Sequence, residues 1–435
     1  MDLETILRGF IATSDRDSKL HPEEWRSKVY KILPVGDAPM TALLQAIGSE
    51  PTPSRHMHWF EQQYPEQRGS ITDVYTDVAL SSAYASGGVD GTALYLKMTA
   101  NDAKQIVAGN TLTIFAPNTP GALLNADVRN VSIGTDATTW VLIQLLEADT
   151  NSILADSTLT WAITGDARAE GSSLPDPTGR DPVELTNQTQ IFMEAVSWTG
   201  TEKKEKQRID GSFAQQQLWS GFNRFRLKIE RAILFGKYKV RTENGKPKRF
   251  TRGVRSAIAE NEPGRIYNYQ TDTDFAGQDW LVGGWEWFCD KILLETSETS
   301  SGRKKLFCGD QFALALEHLV EDRGLAILEP RQTSFGFRYK TLRGLTTEVD
   351  VVIHPDFRRN TALKRSGLLT EMKLLRLRPM VDRDITFVPA SALEAGGWNW
   401  VDGDKEGWYA ELGLEYDNLA AMAWIDGAGL LNTAS

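Results

Sequence analysis

Cysteine is almost missing from this chain of 435 residues, which has only Cys289 and Cys308. Two thiols build neither a disulfide framework nor a multi-cysteine zinc site, and they suit folding in a reducing cytoplasm. Histidine is scarce too, at five residues. His56 and His58 share one strand face by their spacing of two. No cysteine or carboxylate cluster completes a metal site around them, so surface or interface histidines are expected. His318 and His354 read as isolated. There is no glycine-rich phosphate loop, serine elbow or zinc-protease helix, and no cofactor or metal is expected. Asp2, Glu4, Arg8 and Asp15 break up the apolar groups at the start, which excludes a signal peptide or membrane span there. Positive charge is in deficit: 48 Lys and Arg face 58 Asp and Glu, for a net charge of −10. That balance argues against wrapping nucleic acid by phosphate neutralisation, while leaving room for local basic patches.

Hydrophobic residues make up 41 % of the chain, ample for burial, and the length predicts two or three packed units. The most informative stretch is Asn187 to Ile258, where a strand-like run, an amphipathic helix and a basic hairpin follow one another. Leu218, Phe222, Phe225, Ile229 and Ile233 recur at spacings of three and four, which places them on one helical face. The pattern predicts a helix from about Glu205 to Phe235. Gly236 is read as a positive-φ position ending it, and Asn244-Gly245 as the tight turn of a hairpin. A long core helix followed by an ordinary hairpin satisfies the same pattern. Lys203, Lys204, Lys206 and Arg208 crowd the expected helix start, where the backbone dipole disfavours cations, so an acidic surface on a neighbouring copy is expected to compensate them.

Residues 1–54 read as an arm with little core of its own, with a short helix starting at Pro39 and ending by Pro51. His56-Met57-His58-Trp59-Phe60 is strand-like, and a polar stretch from Gly69 leads to about Gly91. Between about Thr92 and Gly165, short alternating strands at Leu112 and Ile114, at Val141, Ile143 and Leu145, and at Leu159, Trp161 and Ile163 predict a small barrel or sandwich. Asp166 to Asp181 is too rich in Gly and Pro for regular structure. Ile191, Met193 and Ala195 alternate with Phe192, Glu194 and Val196, a strand expected to be covered on both faces. The second half reads as α/β. Helical stripes run through Leu281, Trp285, Phe288 and Ile292 and from Phe312 to Arg323, with Asp310 and Gly324 at the ends of the second. Strands are predicted at Phe337–Thr341, Val349–Ile353, Met372–Arg378, Ile385–Val388 and Tyr409–Tyr416. Trp398, Trp400 and Trp408 with Asp402, Asp404 and Glu406 are a weak signal for a sugar-binding cleft, and a solvated turn anchored by aromatic packing explains them better.

Several short motifs carry a resemblance. They are Ala169-Glu170-Gly171, Asn187-Gln188-Thr189-Gln190-Ile191-Phe192, Val196-Ser197-Trp198-Thr199-Gly200-Thr201, Ile229-Glu230-Arg231-Ala232-Ile233-Leu234-Phe235-Gly236 and Gly413-Leu414-Glu415-Tyr416-Asp417-Asn418. Together they resemble the major capsid proteins of tailed bacteriophages with the Hong Kong 97-type fold, in the subgroup whose extended loop carries an inserted β-domain. The resemblance implies an α+β subunit. Its parts would be an N-terminal arm (1–54), an outgoing loop limb (55–91), an inserted β-barrel-like domain (92–165) and a returning limb (166–200). A peripheral domain with a spine helix (201–270), an axial domain (271–370) and shared C-terminal strands (371–435) would follow. It further implies a non-enzymatic protein of the virion, made and assembled in the bacterial host cytoplasm. Implied partners are other copies in hexamers and pentamers, a portal protein, scaffold and decoration or cement proteins, and packaged DNA bound without sequence specificity, with no membrane. Candidate contact residues between subunits are Trp59, Phe60 and Tyr64 on the loop and Trp198 at its base. No lysine and asparagine pair for covalent cross-linking is identified, so a non-covalent shell is expected. The alternative is a phage tail or adhesion protein whose β-insertion binds a host glycan.

Overall fold

The computed structural model describes residues 39–62, 67–116, 122–156, 158–172, 174, 182–204, 213–300, 302–322, 328–332, 338–343, 347–389 and 403–434. It is α+β and divides into two compact units, Phe60–Glu184 and a discontinuous one made of Met1–Trp59 with Leu185–Ser435. Helix α1 (Pro39–Ile47) and strand β1 (His56–Glu61) lead from the discontinuous unit into the other.

In Phe60–Glu184 the strands β2 (Arg68–Ile71) and β3 (Asp73–Tyr75) form one stave, interrupted at Thr72. β4 (Ala93–Lys97), the short helix α2 (Ala100–Ala103), β5 (Asn110–Phe115), β6 (Leu123–Ser132), β7 (Trp140–Leu145) and β8 (Leu159–Asp166) follow. The pairing order β2-β8-β5-β6-β7-β4-β3 is antiparallel throughout. Because β2 and β3 are one stave, the sheet closes on itself as a six-stave barrel. Alternation sends Leu94 and Leu96, Leu112 and Ile114, Val141 and Ile143, and Leu159 and Trp161 into one interior. Closure leaves no open sheet edge, a device that protects a β-rich unit from pairing with stray strands. The sheet reaches back to Arg68, into the segment read from sequence as a loop limb.

The two units differ sharply in charge. Residues 60–184 hold 16 acidic and 6 basic side chains, which leaves 42 of each sign in the rest of the chain. The entire net charge of −10 therefore belongs to the barrel unit.

The chain re-enters the discontinuous unit along β9 (Val183–Gln188), which pairs with β1. Next come β10 (Gln190–Thr199), α3 (Gly200–Lys204), the long helix α4 (Phe213–Phe235), β11 (Lys239–Glu243), β12 (Lys246–Phe250), α5 (Val254–Asn261) and β13 (Ile266–Asn268). α4 is about 34 Å long at ~1.5 Å per residue. Its stripe of Phe225, Ile229 and Ile233 packs with Phe192 of β10 in one core, while Glu194 on the same strand receives Arg224 and Lys228. The described part of this helix begins at Phe213, and Lys203 and Lys204 fall in α3. The predicted start at Glu205, with Lys206 and Arg208, lies outside the described residues. Nor is β10 covered on both faces: α4 covers Phe192 and Val196, but Ile191 and Met193 point outward, Met193 at 61 % exposure.

Helix α6 (Trp280–Glu286) passes into a π-helical stretch, Trp287–Leu293, and then α7 (Leu294–Ser297). The wider turn rotates the buried face, so Trp280, Trp287, Phe288 and Ile292 are inside while Leu281 is 42 % exposed. A uniform helical period had placed Leu281 inside. β14 (Lys304–Cys308), α8 (Asp310–Asp322), β15 (Leu328–Gln332), β16 (Arg338–Arg343), β17 (Glu348–Ile353), α9 (Pro355–Arg359), β18 (Gly367–Thr370), β19 (Leu375–Pro379), β20 (Thr386–Val388), β21 (Gly403–Tyr416) and β22 (Ala423–Asp426) complete the chain. Met372–Leu374, expected as strand, forms a 3₁₀ turn before β19.

A mixed sheet of order β13-β22-β18-β14-β17-β16-β15 forms the centre of this unit, with β13–β22 and β14–β17 parallel. One face carries Leu306, Leu369 and Ile425 into the core under α6 and α8, and the other carries Phe307, Leu368 and Trp424 into the core under α4. Burial on both faces is why Leu306-Phe307-Cys308 and Ala423-Trp424-Ile425 are continuous apolar runs rather than alternating ones. A second sheet, β10-β21-β19 with β20 beside β21, supports α4.

Candidate assembly site

Polar side chains buried in the discontinuous unit fasten distant segments to one another. α1 opens with Pro39 and has no acidic residue in its first turn, so its free amides need an acceptor from elsewhere. Glu230 of α4 supplies it. Its carboxylate accepts from Met40 N at 2.9 Å, Thr41 N at 2.7 Å and the Thr41 hydroxyl. The same carboxylate meets His354 Nε2 at 2.8 Å, so His354 is not isolated. Asp356 N donates to His354 Nδ1 at 3.2 Å, which leaves the ring proton on Nε2 to donate to Glu230. The next helix residue, Arg231, grips Asp356 at 2.8 Å. Two successive residues of α4 thus fix both α1 and the His354-Pro355-Asp356 turn.

A second knot uses Asn187 and Gln188. Asn187 Nδ2 donates to Leu414 O at 2.6 Å and Arg252 O at 3.1 Å, while its Oδ1 accepts from Arg252 N at 2.8 Å. Gln188 Nε2 donates to Lys239 O and Phe250 O, clamping the base of the β11–β12 hairpin. Thr189 Oγ1 donates to Glu411 at 2.9 Å, and Gln190 accepts from Thr251 N. The motif Asn187-Gln188-Thr189-Gln190 is therefore a joint between β9, β10, β21 and the hairpin. Gly236 and Gly253 complete the joint, with Gly253 N donating to Gly236 O at 2.9 Å. A Cβ on either would run into backbone, and Gly236 is not among the positive-φ glycines. Close approach, not a left-handed turn, is what requires glycine there.

From that joint the hairpin projects. β11 and β12 pair only with each other, and every residue from Lys239 to Lys248 is exposed. Asn244 (φ 51°) and Gly245 (φ 73°) form the turn, both in the left-handed region that a two-residue hairpin favours.

The candidate contact residues sit in different settings. Trp59 is half-buried and meets Tyr416 edge-on at 5.0 Å between ring centres. Trp198 is buried, and its indole nitrogen has no hydrogen-bond partner among the described residues. Phe60, the next residue after Trp59 on β1, is 68 % exposed, and Val183 on the paired β9 is exposed as well. Tyr64 lies outside the described residues, as do the side chains of Lys203 and Lys204. The outward Ile191 and Met193 of β10 were not singled out from the sequence. Their strand alternation could have exposed them, had one face been assigned to α4.

Glu230 and His354 form a carboxylate–imidazole pair, but both are fully buried and every nitrogen of the ring is engaged. A recess of about 250 Å³ lined by Thr41, Gln45, Ile229, Leu377 and Leu412 includes a single charged side chain, Asp384. Among the described residues no group of three or more His, Cys, Asp or Glu is placed to hold a metal. Trp398, Trp400 and Asp402 of the sugar-cleft candidate lie outside the described residues, and Trp408 packs against Phe222 and Phe387. No described helix is long and apolar enough to cross a membrane.

Buried polar groups spent on joints, together with outward apolar side chains on otherwise well-packed strands, define a structural building block. The sequence model of the SU10 major capsid protein family matches residues 12–429, and the chain belongs to that family: it is a capsid shell protein. A major capsid protein of Pseudomonas phage PaMx41 is 20 % identical over 353 residues, covering 81 % of this chain and 77 % of the relative. Among solved structures, a chain of Mycobacterium phage Bobi aligns over 97 % of this chain and 100 % of its own, with 10 % identity and a TM-score of 0.46. A chain of the holo-SrpI encapsulin complex from Synechococcus elongatus PCC 7942 aligns over 58 % of this chain and 76 % of its own, with 12 % identity and a TM-score of 0.38.

Proposed function

We propose that this shell protein assembles as hexamers and pentamers into a closed icosahedral head of the Hong Kong 97 type around phage double-stranded DNA. What carries the reading is the span of the family match, residues 12–429, which takes in both units. In this reading α4 is the spine of a peripheral domain, the mixed sheet is the core of an axial domain, and residues 1–54 form an arm. β1 and β9 are the root of an extended loop that carries the barrel. The virion is its destination, after assembly in the bacterial cytoplasm with a portal and with scaffold or decoration proteins. The shell is non-covalent, so boiled particles run as monomers on a denaturing gel; a ladder of multimers would contradict this.

Energy for assembly comes from burying side chains such as Phe60, Ile191 and Met193 at contacts repeated across the shell, at ~25 cal/mol per Å² of apolar surface. The acidic barrel unit belongs on the outer surface, where its net negative charge stays away from packaged phosphates. Antibodies against residues 60–184 are therefore expected to label intact, DNA-filled particles. Electron microscopy of particles formed by the full chain tests the main reading. Closed shells with hexameric and pentameric units are expected, and tubes, fibres or discrete small oligomers would overturn it.

A further inference from the structure

The hairpin has more charge than its own fold uses. Lys237, Lys239, Arg241, Lys246, Lys248 and Arg249 lie within fourteen residues, against one carboxylate, Glu243. In the β11–β12 register Lys239, Arg241 and Glu243 share a face with Phe250, Lys248 and Lys246, so four of these cations point the same way. Glu243 is spent on Lys248 at 2.7 Å. At the hairpin base burial, and after it the charges of Arg55 and Arg249, lowers the pKa of the His56 imidazole from its ordinary value.

An isolated two-stranded ribbon is marginally stable in water. This one is fixed at its base by Gln188 and at its tip by Asn244-Gly245; Lys248 is neutralised by the hairpin's own Glu243, while Lys239, Arg241 and Lys246 stand exposed. The opposite sign is present in excess in one place. Residues 60–184 carry a net charge of −10 per copy, and the remainder of the chain is neutral overall. Bringing many copies together concentrates that negative charge, and repulsion rises unless cations from elsewhere meet it.

We infer that the β11–β12 hairpin is a docking element for a second copy of this chain, its cationic face seating on the acidic barrel unit of that neighbour. The inference rests on the shell-protein reading. Charge complementarity selects the neighbour, steers its approach and makes the contact salt-sensitive, as charged contacts at an interface rim do. Packaged DNA is the competing occupant for such a basic ribbon. It is less favoured because the required anions are already supplied in every copy, in one unit and in excess.

Two measurements on particles of the full chain test this. In the first, particles formed from a mixture of isotopically labelled and unlabelled chains are treated with a carbodiimide, which joins lysine amines to carboxylates in direct contact. Mass spectrometry is expected to find Lys239, Lys246 or Lys248 joined to Asp or Glu of residues 60–184, in mixed-label pairs. Absence of such pairs, or only same-label pairs, overturns the inference. In the second, K239E/R241E/K246E is compared with the wild-type chain. The three side chains are exposed, so thermal stability of the unassembled variant stays unchanged while the yield of closed particles falls about tenfold. Normal particles that have lost DNA would assign the ribbon to nucleic acid and refute docking on a neighbour. Failure of the wild-type chain itself to form shells would remove the shell-protein reading and this inference together, whereas wild-type shells with an unaffected variant would remove this inference alone.

Discussion

In the barrel of Phe60–Glu184, half of the pairings join strands that are neighbours in sequence, β3 with β4, β5 with β6 and β6 with β7, and the interior is apolar. In the discontinuous unit, the fastening contacts join residues 190 apart at Met40 and Glu230 and 227 apart at Asn187 and Leu414, and they are polar. The contrast teaches how two kinds of specificity are encoded. Alternation and closure are enough to define a barrel, because a slipped stave turns its apolar residues outward. Segments that meet from far along the chain need a partner that penalises every wrong seat. A buried carboxylate or carboxamide does this, since leaving it unpaired costs about 1–3 kcal/mol and more if it is charged.

Mutations can break this contrast from either side. The largest effect is expected from Trp161→Ala in the barrel interior, about 4 kcal/mol lost through transfer and cavity terms. Amide hydrogen exchange should show faster exchange in β2 to β8 with β14, β17 and β18 unchanged; uniform loss of protection would mean that the units do not unfold separately. Next comes Glu230→Ala, expected to cost about 3 kcal/mol by orphaning the α1 amides and His354, measured by denaturant unfolding. Here the barrel amides should stay protected, and Glu230→Gln should recover part of the loss.

A smaller effect sharpens the same contrast through pH. Lys304 is fully buried on β14, its Nζ donating to Thr296 O and Ala421 O, and burial lowers its pKa from 10.5 to about 8. Between those values the unfolded chain binds more protons than the folded one at this site. Stability from this group therefore rises with pH across the window, by about 1 kcal/mol for the first pH unit above 8. Below it the charge is retained at a constant cost. The test is the difference in melting temperature between wild type and Lys304→Met as pH rises from 8, and a flat difference would remove the claim. The smallest effect on folding is expected from Phe60→Ser, within about 0.5 kcal/mol for the unassembled chain because the ring is exposed. The same change should reduce particle yield; unchanged yield would take Phe60 out of the subunit contacts.

Much of the architecture was legible because its signals are local. The 3–4 spacing of Phe225, Ile229 and Ile233 marks the α4 stripe, Asn244-Gly245 marks the hairpin turn, and Leu112 with Ile114 marks a stave. Readings failed where a non-local or rarer geometry intervened. The π-helical turn at Trp287–Leu293 shifted the buried face away from Leu281, and Gly236 answers to the backbone of Thr251 rather than to its own φ. β6 does alternate, burying Leu124, Ala126 and Val128, but with a small alanine among Asn125, Asp127 and Arg129 the pattern is faint in the sequence, and it ends at the register shift after Val128. Of the candidate contact residues, Trp59 packs on Tyr416 and Trp198 is buried within this chain; an aromatic residue in a strand announces burial without saying against which chain.

By itself the sequence determined the periodicities, the turn chemistry, the net charge and the motifs that carry the capsid likeness, since each depends on residues close together along the chain. Only the tertiary structure decided that Glu230 serves α1 and His354 at once, that Asn187 and Gln188 tie the hairpin to the strands, and that Phe60, Ile191 and Met193 stay uncovered. The reason is physical: burial and hydrogen-bond satisfaction are properties of what surrounds a side chain, and those surroundings come from segments hundreds of residues away.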